Sequence, residues 1–202
     1  MQTNKMPTAE TDSILARLKT RTAHQHQQTE DGVDLMSDDF TLGDYKDLLV
    51  RFYAFYQSFE ARMTRAIAEH EVDFNYAERL NAPKLVADLR SLGLTETEIA
   101  AIKSFDETPA LDSPEKIFGA LYVVEGSTLG GQIIARHLKA KFDRDETNGI
   151  AFFSGYAQET GKMWNAFRAA ITEFADGENV NHEEIIESAN ETFSKIGKAL
   201  AA

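Results

Sequence analysis

The sequence contains no cysteine among its 202 residues. This absence excludes disulfides, thiolate metal ligands and a cysteine nucleophile. It also contains no run of about 18 apolar residues, which predicts that no segment spans a membrane. Met1–Glu10 has neither the basic start nor the apolar stretch of a secretory signal. Together these absences predict a cytoplasmic protein.

Basic residues are also scarce, with 21 Lys and Arg against 33 Asp and Glu, for a net charge of −12. A chain this acidic is not expected to bind nucleic acid or anionic membranes broadly, because both need a basic face. The net charge does not exclude the binding of a small ligand. The apolar share of 43% and charged share of 27% are those of an ordinary globular protein. We therefore predict a single domain over residues 1–202, with 1–10 as a flexible N-terminal extension.

Only four prolines occur, and the long stretches between them have helical periodicity. The predicted helices span residues 11–31, 41–70, 76–92, 95–104, 114–141, 155–176 and 181–200. Residues typical of N-caps stand at the expected starts, namely Ser13, Thr41, Thr95, Ser113 and Asn181. The most β-like run, residues 149–154, is too short to found a sheet. The predicted fold class is all-α.

The first predicted helix carries a histidine on its apolar stripe. At about 100° per residue, Leu15, Thr22 and His26 fall within roughly 20–40° of one another, so His26 is predicted to face inward and His24 to face solvent. Glu30 follows His26 by one turn, where its carboxylate can accept a hydrogen bond from the imidazole. Such a carboxylate orients a metal-ligating histidine. The same pattern also suits a buried core histidine with an incidental helical neighbour.

Three glycines interrupt the most apolar helix, at Gly126, Gly130 and Gly131. Each costs a helix interior roughly 1 kcal/mol relative to alanine. Together with Ser127 they leave one side of the helix with almost no side chains, at a point where the helix can bend. Either a flat ligand or another helix could approach this face. No strand precedes the glycines and no Gly-Lys-Ser/Thr ends them, so a phosphate loop is not expected. No Glu-x-x-His occurs either, which argues against a di-iron site.

Two segments together resemble the heme oxygenase family. Leu18-Lys-Thr-Arg-Thr-Ala-His-Gln-His-Gln-Gln-Thr-Glu30 resembles its proximal-helix motif. Tyr122-Val-Val-Glu-Gly-Ser-Thr-Leu-Gly-Gly-Gln132 resembles the distal helix of the bacterial branch associated with bacteriophytochromes. The motifs occur in the family's order, and weaker similarity extends through most of the chain.

The resemblance implies a single multi-helical domain with heme sandwiched between the first helix and a kinked distal helix. His26 would be the axial ligand to the iron of heme b, with Glu30 behind it. The distal glycines, with Ser127, would line the other side of the porphyrin. Lys19 and Arg168 would bind the heme propionates at the mouth of the site. Tyr122 would lie beside them or on the distal wall.

The sequence departs from many family members at two positions. An aspartate of the distal helix, which organises the water that donates a proton, is replaced by Ser127. Ser127 or Thr128 can hold water, but neither supplies a charge, so the source of the proton is left open. A lysine that accompanies Arg168 in the animal enzymes is Trp164 here. The chain also ends without a C-terminal membrane tail.

The activity implied is oxidative cleavage of heme to biliverdin, CO and Fe²⁺, with heme as both cofactor and substrate. Cleavage is expected mainly at the α-meso carbon, since the usual cationic anchors are retained. O₂ and an electron donor such as a ferredoxin or flavin reductase would take part, with a biliverdin-binding phytochrome downstream.

Three alternatives have different consequences. A heme carrier or storage protein would bind heme without opening the ring, and the Ser127 departure keeps this alternative open. A thiaminase-like hydrolase of the same fold relies on a cysteine nucleophile, which this chain lacks. A structural helical bundle leaves the glycines inside the apolar helix unexplained.

Overall fold

A computed structural model describes residues 13–33 and 35–201. The predicted N-terminal extension at 1–10 lies outside the described residues. Within the described part the secondary structure is helical, without a β-strand, which agrees with the predicted class. The described residues contain nine α-helices in this order: α1 Ile14–Arg21, α2 Ala23–Asp31, α3 Leu42–Glu69, α4 Ala82–Ser91, α5 Glu96–Ala100, α6 Pro114–Phe142, α7 Ala151–Ser154, α8 Thr160–Ala175 and α9 His182–Ala201. They also contain 3₁₀ turns at Ala77–Arg79 and Ala157–Glu159.

The predicted N-caps are present. Thr41 and Thr95 each form a reciprocal capping box, with Asp44 and Glu98 respectively. The side chains of Ser13, Ser113 and Asn181 accept backbone N–H groups at the starts of their helices. These local bonds satisfy donors that the first helical turn leaves unpaired, which explains why the starts could be predicted from sequence.

The single predicted helix 11–31 is instead two helices, separated at Thr22. The Thr22 backbone departs from regular α-helical dihedral angles, with φ −105° and ψ −3°, although it stays in the right-handed region. Its hydroxyl donates to the Leu18 carbonyl oxygen at 2.9 Å, a back-bond that competes with the helix and bends it. Beyond the break, α2 is entirely polar apart from Ala23 and buries no residue. The two segments are therefore held by different neighbours.

Three other predicted helices also differ from the observed ones. The 76–92 helix is a 3₁₀ turn followed by α4, because Leu80 adopts an extended backbone before Pro83 enters the first turn of α4. The 155–176 helix begins only at Thr160, because Gly155 takes a positive φ of 58°. The β-like run 149–154 contains α7. The 95–104 helix ends at Ala100.

The core lies between α3, α6 and α9, the three long helices. Gly119 of α6 lets α9 approach closely, because a Cβ there would overlap the Ile185 carbonyl oxygen and the Ser188 side chain. The aromatic side chains Phe55, Tyr56 and Phe59 of α3 are buried, as is usual for aromatic residues at helical spacing. Among the described helices, α6 alone is long and apolar enough to cross a membrane, and over half of its most apolar window is buried within the protein. It serves here as the central core helix.

Candidate functional site

Thr22, where α1 breaks, lies close to Tyr122 of α6. Tyr122 is half-buried, and this burial raises the pKa of its hydroxyl, while the neighbouring Thr22 acts in the opposite direction. Thr22 is itself buried, and its hydroxyl donates to the Leu18 carbonyl oxygen. His26 lies one turn beyond Thr22, and Gly126 lies one turn beyond Tyr122. The two sequence motifs thus approach each other at Thr22 and Tyr122.

His26 is exposed, which corrects the prediction that it faces inward. Its side chain retains 54% of its accessible surface. The ring lies 5.3 Å from that of Phe193 in α9. The physical reason is the break at Thr22: the apolar stripe of α1 ends there, and α2, which is polar apart from Ala23, buries no residue. His24 is exposed, as predicted.

Glu30 faces His26 as predicted, with Oε1 3.3 Å from the imidazole Nε2. A carboxylate that accepts the proton of one ring nitrogen leaves the other nitrogen with its lone pair available to a metal. The exposed imidazole therefore has an orienting partner. It does not have the enclosing side chains of a buried core histidine.

Helix α9 supports α2 from behind. The Thr29 hydroxyl donates to the Gln25 carbonyl oxygen at 2.9 Å and lies 3.3 Å from the Phe193 carbonyl oxygen. Gly197 lies beside this contact, where a Cβ would be 3.8 Å from the Thr29 hydroxyl oxygen, an ordinary van der Waals distance. The position of His26 thus depends on contacts with α9 and not on burial of α2 itself.

The glycines of α6 fall into two groups. A Cβ at Gly130 would meet nothing within 4 Å, and one at Gly126 would only touch the Trp164 ring at 3.7 Å. A Cβ at Gly131 would lie 2.9 Å from the Phe153 carbonyl oxygen of α7. Gly131 is therefore explained by helix packing, which departs from the prediction that all three glycines form one bare face. Gly126 and Gly130 keep an open side.

The open side of α6 also carries two exposed apolar residues. Leu129 and Ile133 keep 43% and 55% of their accessible surface, although they lie in the most apolar helix of the core. Single exposed apolar side chains are ordinary, but here they flank Gly130, where added atoms would meet nothing. The combination of bare backbone and apolar side chains suits a flat apolar ligand.

Ser127 is exposed on α6, and its hydroxyl donates to the Val124 carbonyl oxygen at 2.8 Å. Thr128 is buried and donates to the Glu125 carbonyl oxygen at 2.6 Å. Both hydroxyls are thus bonded within the helix. Burial raises the pKa of Tyr56 of α3, and the nearby Ser127 has a smaller lowering effect on it.

The two predicted cationic anchors lie toward the α1–α8 side. Arg168 is exposed and lines an open groove of about 580 Å³ together with Leu15 of α1. Lys19 is exposed and lies one turn beyond Leu15. The groove also holds two carboxylates, Glu173 and Asp176. Both cations are accessible to an anionic ligand.

Trp164 occupies the space beside Tyr122 and Gly126. Its ring lies 6.1 Å from that of Tyr122 and stacks on Phe167 at 5.5 Å. Trp164 thus supplies a half-buried apolar wall at the very position where the resemblance to the animal enzymes would place an anchoring lysine.

The sequence analysis missed a buried polar cluster behind α6. We define this cluster as Tyr56, Glu60, Tyr76, Arg79, Lys84, Glu125 and Tyr156. Glu125 pairs with the buried Arg79 and accepts a hydrogen bond from the Tyr156 hydroxyl at 3.0 Å. Burial raises the pKa of Glu125, and the Arg79 charge opposes that rise. The available signal was Glu125 itself, a carboxylate that directly follows the apolar run 121–124.

Comparison with known proteins gives a consistent picture. The heme oxygenase family model matches residues 12–201. A heme oxygenase of Xanthomonas campestris pv. campestris (strain 8004) is 32% identical over 130 residues, which cover 63% of this chain and 71% of that protein.

Two solved structures share the fold. The NO- and CO-bound heme oxygenase of Neisseria meningitidis gives a TM-score of 0.76 at 21% identity, over 94% of this chain and 90% of that one. Heme oxygenase from Leptospira interrogans gives 0.74 at 20% identity, over 94% and 98%. At these identities the structures support the all-helical fold alone.

Proposed function

This chain belongs to the heme oxygenase family, whose members degrade heme, and from this premise we propose that it cleaves heme b to biliverdin, CO and Fe²⁺ using O₂ and a reductant. One observation carries the proposal: His26, exposed and oriented by Glu30, lies one turn beyond Thr22, and Thr22 lies close to Tyr122 of α6, which the bare, apolar-flanked glycines follow. A histidine and an open apolar helix face are what a planar iron porphyrin needs.

The residues fit heme in three respects. The His26 imidazole can ligate iron in its neutral form, with Glu30 fixing its tautomer. Gly126 and Gly130 present backbone to the porphyrin face, and Leu129 and Ile133 offer it apolar contact. When bound, heme supplies both the iron that activates O₂ and the carbon that is oxidised.

The remaining residues orient the ligand and handle protons. Lys19 and Arg168 bind the propionates, and their exposure keeps them accessible to a charged edge. Tyr122 closes the end of the site where α1 meets α6. Ser127 holds a proton-bearing hydroxyl on the distal side. Gly131 has a supporting role, because the absence of a side chain there lets α6 pack closely against α7.

The string Tyr122–Gln132, with serine at 127, favours the branch associated with bacteriophytochromes. We therefore propose a bacterial cytoplasmic enzyme that takes electrons from a ferredoxin or flavin reductase. A biliverdin-binding phytochrome would use the product. The cysteine-free composition suits this compartment.

Heme titration followed by reduction tests the function. Purified protein is mixed with heme, and absorption spectra are recorded before and after ascorbate is added under air. We expect a histidine-ligated Soret band that decays as biliverdin absorption grows. A Soret band that persists through repeated reduction would instead identify a heme carrier.

Chromatography of the same reaction tests the regiochemistry. The porphyrin is nearly symmetric about its iron, so its edge contacts choose which meso carbon is cut, and we propose mainly the α-meso carbon. An exposed ion pair is worth on the order of 1 kcal/mol or less, which biases orientation several-fold. Lys19→Ala or Arg168→Ala should therefore give mixed biliverdin isomers. A wild type that yields mostly another isomer, or an Arg168→Ala product ratio equal to wild type, contradicts this anchoring.

A further inference from the structure

A short stretch of chain holds the back of α6 beside its glycines. This stretch, residues 153–157, contains the end of α7 and the start of the connection to α8, and we call it the supporting segment. The Phe153 carbonyl oxygen lies 2.9 Å from where a Cβ of Gly131 would be. A Cβ at Gly155 would lie 3.5 Å from the Thr128 Cβ and 3.8 Å from the Thr128 carbonyl oxygen. The backbone of the supporting segment thus packs directly against α6 at two positions.

Two side-chain hydrogen bonds join the same segment to α6. The Tyr156 hydroxyl donates to the Glu125 carboxylate at 3.0 Å. The Gln132 side-chain amide donates to the Ala157 carbonyl oxygen at 2.8 Å. At about 100° per residue, the four α6 residues in these contacts lie on the side of the helix opposite the open glycines. The supporting segment therefore backs the stretch of α6 whose front is open to a ligand.

This stretch of α6 is a weak part of the helix. The helix runs without interruption over Pro114–Phe142, although three glycines, each less favourable to a helix than alanine, lie between residues 126 and 131. The hydroxyls of Ser127 and Thr128 donate to carbonyl oxygens three residues earlier, and such bonds often bend helices. The position of a helix with these features depends on the neighbours that hold it.

The supporting segment keeps an unfavourable backbone in order to follow α6. Gly155 has φ 58° and Ala157 has φ 50°, both in the left-handed region. This region is strained for a residue with a side chain, and such strain persists only where the surroundings impose it. The Ala157 carbonyl oxygen accepts the Thr160 hydroxyl at 2.9 Å in addition to the Gln132 amide. The local bonds thus hold Ala157 in a conformation that it would not adopt by itself.

Asp88 of α4 anchors the start of α7, from which the supporting segment continues. Its buried carboxylate accepts the backbone N–H groups of Ala151 at 2.7 Å and Phe152 at 2.8 Å. These groups belong to the first turn of α7, which lacks acceptors of its own. Burial raises the pKa of Asp88 to about 6, and the two N–H groups and the Lys84 charge oppose that rise. At pH 7 the group is therefore mostly ionised, which strengthens both hydrogen bonds.

We propose that Asp88 and the supporting segment set the position of the glycine stretch of α6 against the bound porphyrin. Asp88 holds α7, the supporting segment holds the back of α6, and the bare front of α6 meets the ligand. The inference rests on the proposed function, because it concerns the distal side of the heme site. Asp88, Tyr156 and Gln132 act through α6 and are positioning residues.

A general loss of stability is the alternative, and Glu60 provides a matched control for it. Glu60 of α3 is also a buried carboxylate that accepts two backbone N–H groups at a helix start, those of Asn81 and, at 3.1 Å, Ala82. Burial raises the pKa of Glu60 as well, to about 7. Its hydrogen bonds, however, run to the start of α4 and not to α7. Glu60→Gln therefore removes a similar cap and leaves the anchor of the supporting segment in place.

The first experiment measures amide hydrogen exchange by mass spectrometry in the heme-free protein. Asp88→Asn replaces one acceptor oxygen with an N–H donor, and Tyr156→Phe and Gln132→Ala each remove one hydrogen bond to α6. We expect exchange in residues 126–134 to be about tenfold faster in these three variants, because this stretch loses its support. Glu60→Gln should keep these amides within about twofold of wild type. Wild-type exchange of this stretch in all three variants would overturn the proposal.

The second experiment records infrared spectra of the ferrous heme complex with carbon monoxide, whose C–O stretching band responds to contacts on the distal side. We expect Asp88→Asn and Tyr156→Phe to shift or broaden this band, and Glu60→Gln to leave it unchanged. The iron–histidine stretching band, measured by resonance Raman spectroscopy without carbon monoxide, should keep its wild-type frequency in every variant. A wild-type C–O band in Asp88→Asn and Tyr156→Phe, or equal shifts in Glu60→Gln, would show that the supporting segment does not position the distal side.

The two experiments separate failure of this inference from failure of the proposed function. If wild type binds heme without opening the ring, the proposed function fails, while the exchange rates and the C–O band still decide the positioning role. If Asp88→Asn does not fold, Tyr156→Phe and Gln132→Ala decide both experiments.

Discussion

Histidines 24 and 26 lie two residues apart on α2, and both are exposed. Only His26 has partners on two sides, the Glu30 carboxylate and the Phe193 ring. Because the His26 imidazole is exposed, folding removes little of its contact with water. The Glu30 carboxylate orients the ring and leaves one ring nitrogen available to bind a metal. Comparing variants of the two histidines therefore distinguishes the loss of a metal ligand from the general effect of removing a histidine.

His26→Ala should abolish the histidine-ligated heme spectrum and turnover, while His24→Ala should leave both close to wild type. Glu30→Gln should weaken heme affinity or activity by roughly 10–100-fold, as is usual for partners of a metal ligand. Absorption and electron paramagnetic resonance spectra of the ferric complexes measure this. Normal axial ligation in His26→Ala would disprove the assignment.

At the residue scale, sequence predicted what depends on local bonds. The five N-caps are confirmed because each bond joins residues close in sequence. The inward orientation of His26 was wrong, since the backbone break at Thr22 ends the stripe on which it was based. Glu60 was missed because its partners, Asn81 and Ala82, lie on another element. The roles of the predicted site residues stay predictions.

Helix α6 is the element on which the core and the candidate site both depend. Its glycines differ in what a side chain would meet: the α9 backbone at Gly119, the α7 backbone at Gly131, and open space at Gly130. The first two allow helices to approach closely. Gly130, and Gly126 with only an ordinary contact to the Trp164 ring, are left without a reason in the protein itself, although each costs the helix stability.

Gly130→Ala and Gly131→Ala should therefore have opposite effects on the heme-free protein. Gly130→Ala should raise its stability by up to about 1 kcal/mol, because alanine favours the helix and meets no neighbour. Gly131→Ala should lower it, because the Cβ meets the Phe153 carbonyl oxygen.

Chemical denaturation of the heme-free variants measures these changes, and heme titration follows. A larger side chain in Gly130→Leu should impair heme binding or oxidation while the heme-free protein remains folded. If Gly130→Leu mainly unfolds the heme-free protein, Gly130 serves helix packing and not the ligand.

At the element scale, prediction succeeded for the long helices. The ends of α3, α6 and α9 lie within one residue of their predicted positions, because caps and periodicity agree there. It failed where one periodic stretch is divided by backbone geometry, as at Thr22 and Gly155. Periodicity alone does not reveal a single residue whose dihedral angles depart from those of a regular helix.

The whole molecule carries a net charge of −12, and among the described residues three carboxyl groups, Glu60, Asp88 and Glu125, are buried with raised pKa values. Glu60 has a pKa of about 7 in the folded protein, against an ordinary 4.5, and Asp88 about 6 against 3.8. Between the two values the folded state binds a proton that the unfolded state releases. Stability therefore rises as pH falls from above 7 toward about 5.

We expect the Tm of the heme-free protein to increase between pH 8 and pH 6, by on the order of 3–6 °C at constant ionic strength. The double variant Glu60→Gln/Asp88→Asn should reduce this slope. Carboxylates whose pKa is lowered, such as Asp44 and Asp112, are exposed and lose their contribution only below the ordinary carboxyl range. Calorimetry at several pH values measures the slope, and a wild-type Tm that decreases over this interval contradicts the expectation.

At the scale of the whole molecule, sequence predicted the all-helical class and the heme oxygenase family, and both are confirmed. The packing of α6 on α9 was not predicted, because contacts such as Gly119 with Ile185 join residues far apart in the chain. The phytochrome-associated branch and the site of cleavage stay proposals.

The weak burial of α2 has a consequence under the proposed function. A short polar helix with no buried residue separates from the body at a lower free-energy cost than the core helices do, although Thr29 ties it to α9. His26 would add a second tie if it held the iron of bound heme. Departure of the iron would remove that tie and leave α2 held again by its contacts with α9, so the freedom of this helix would report whether the site is loaded.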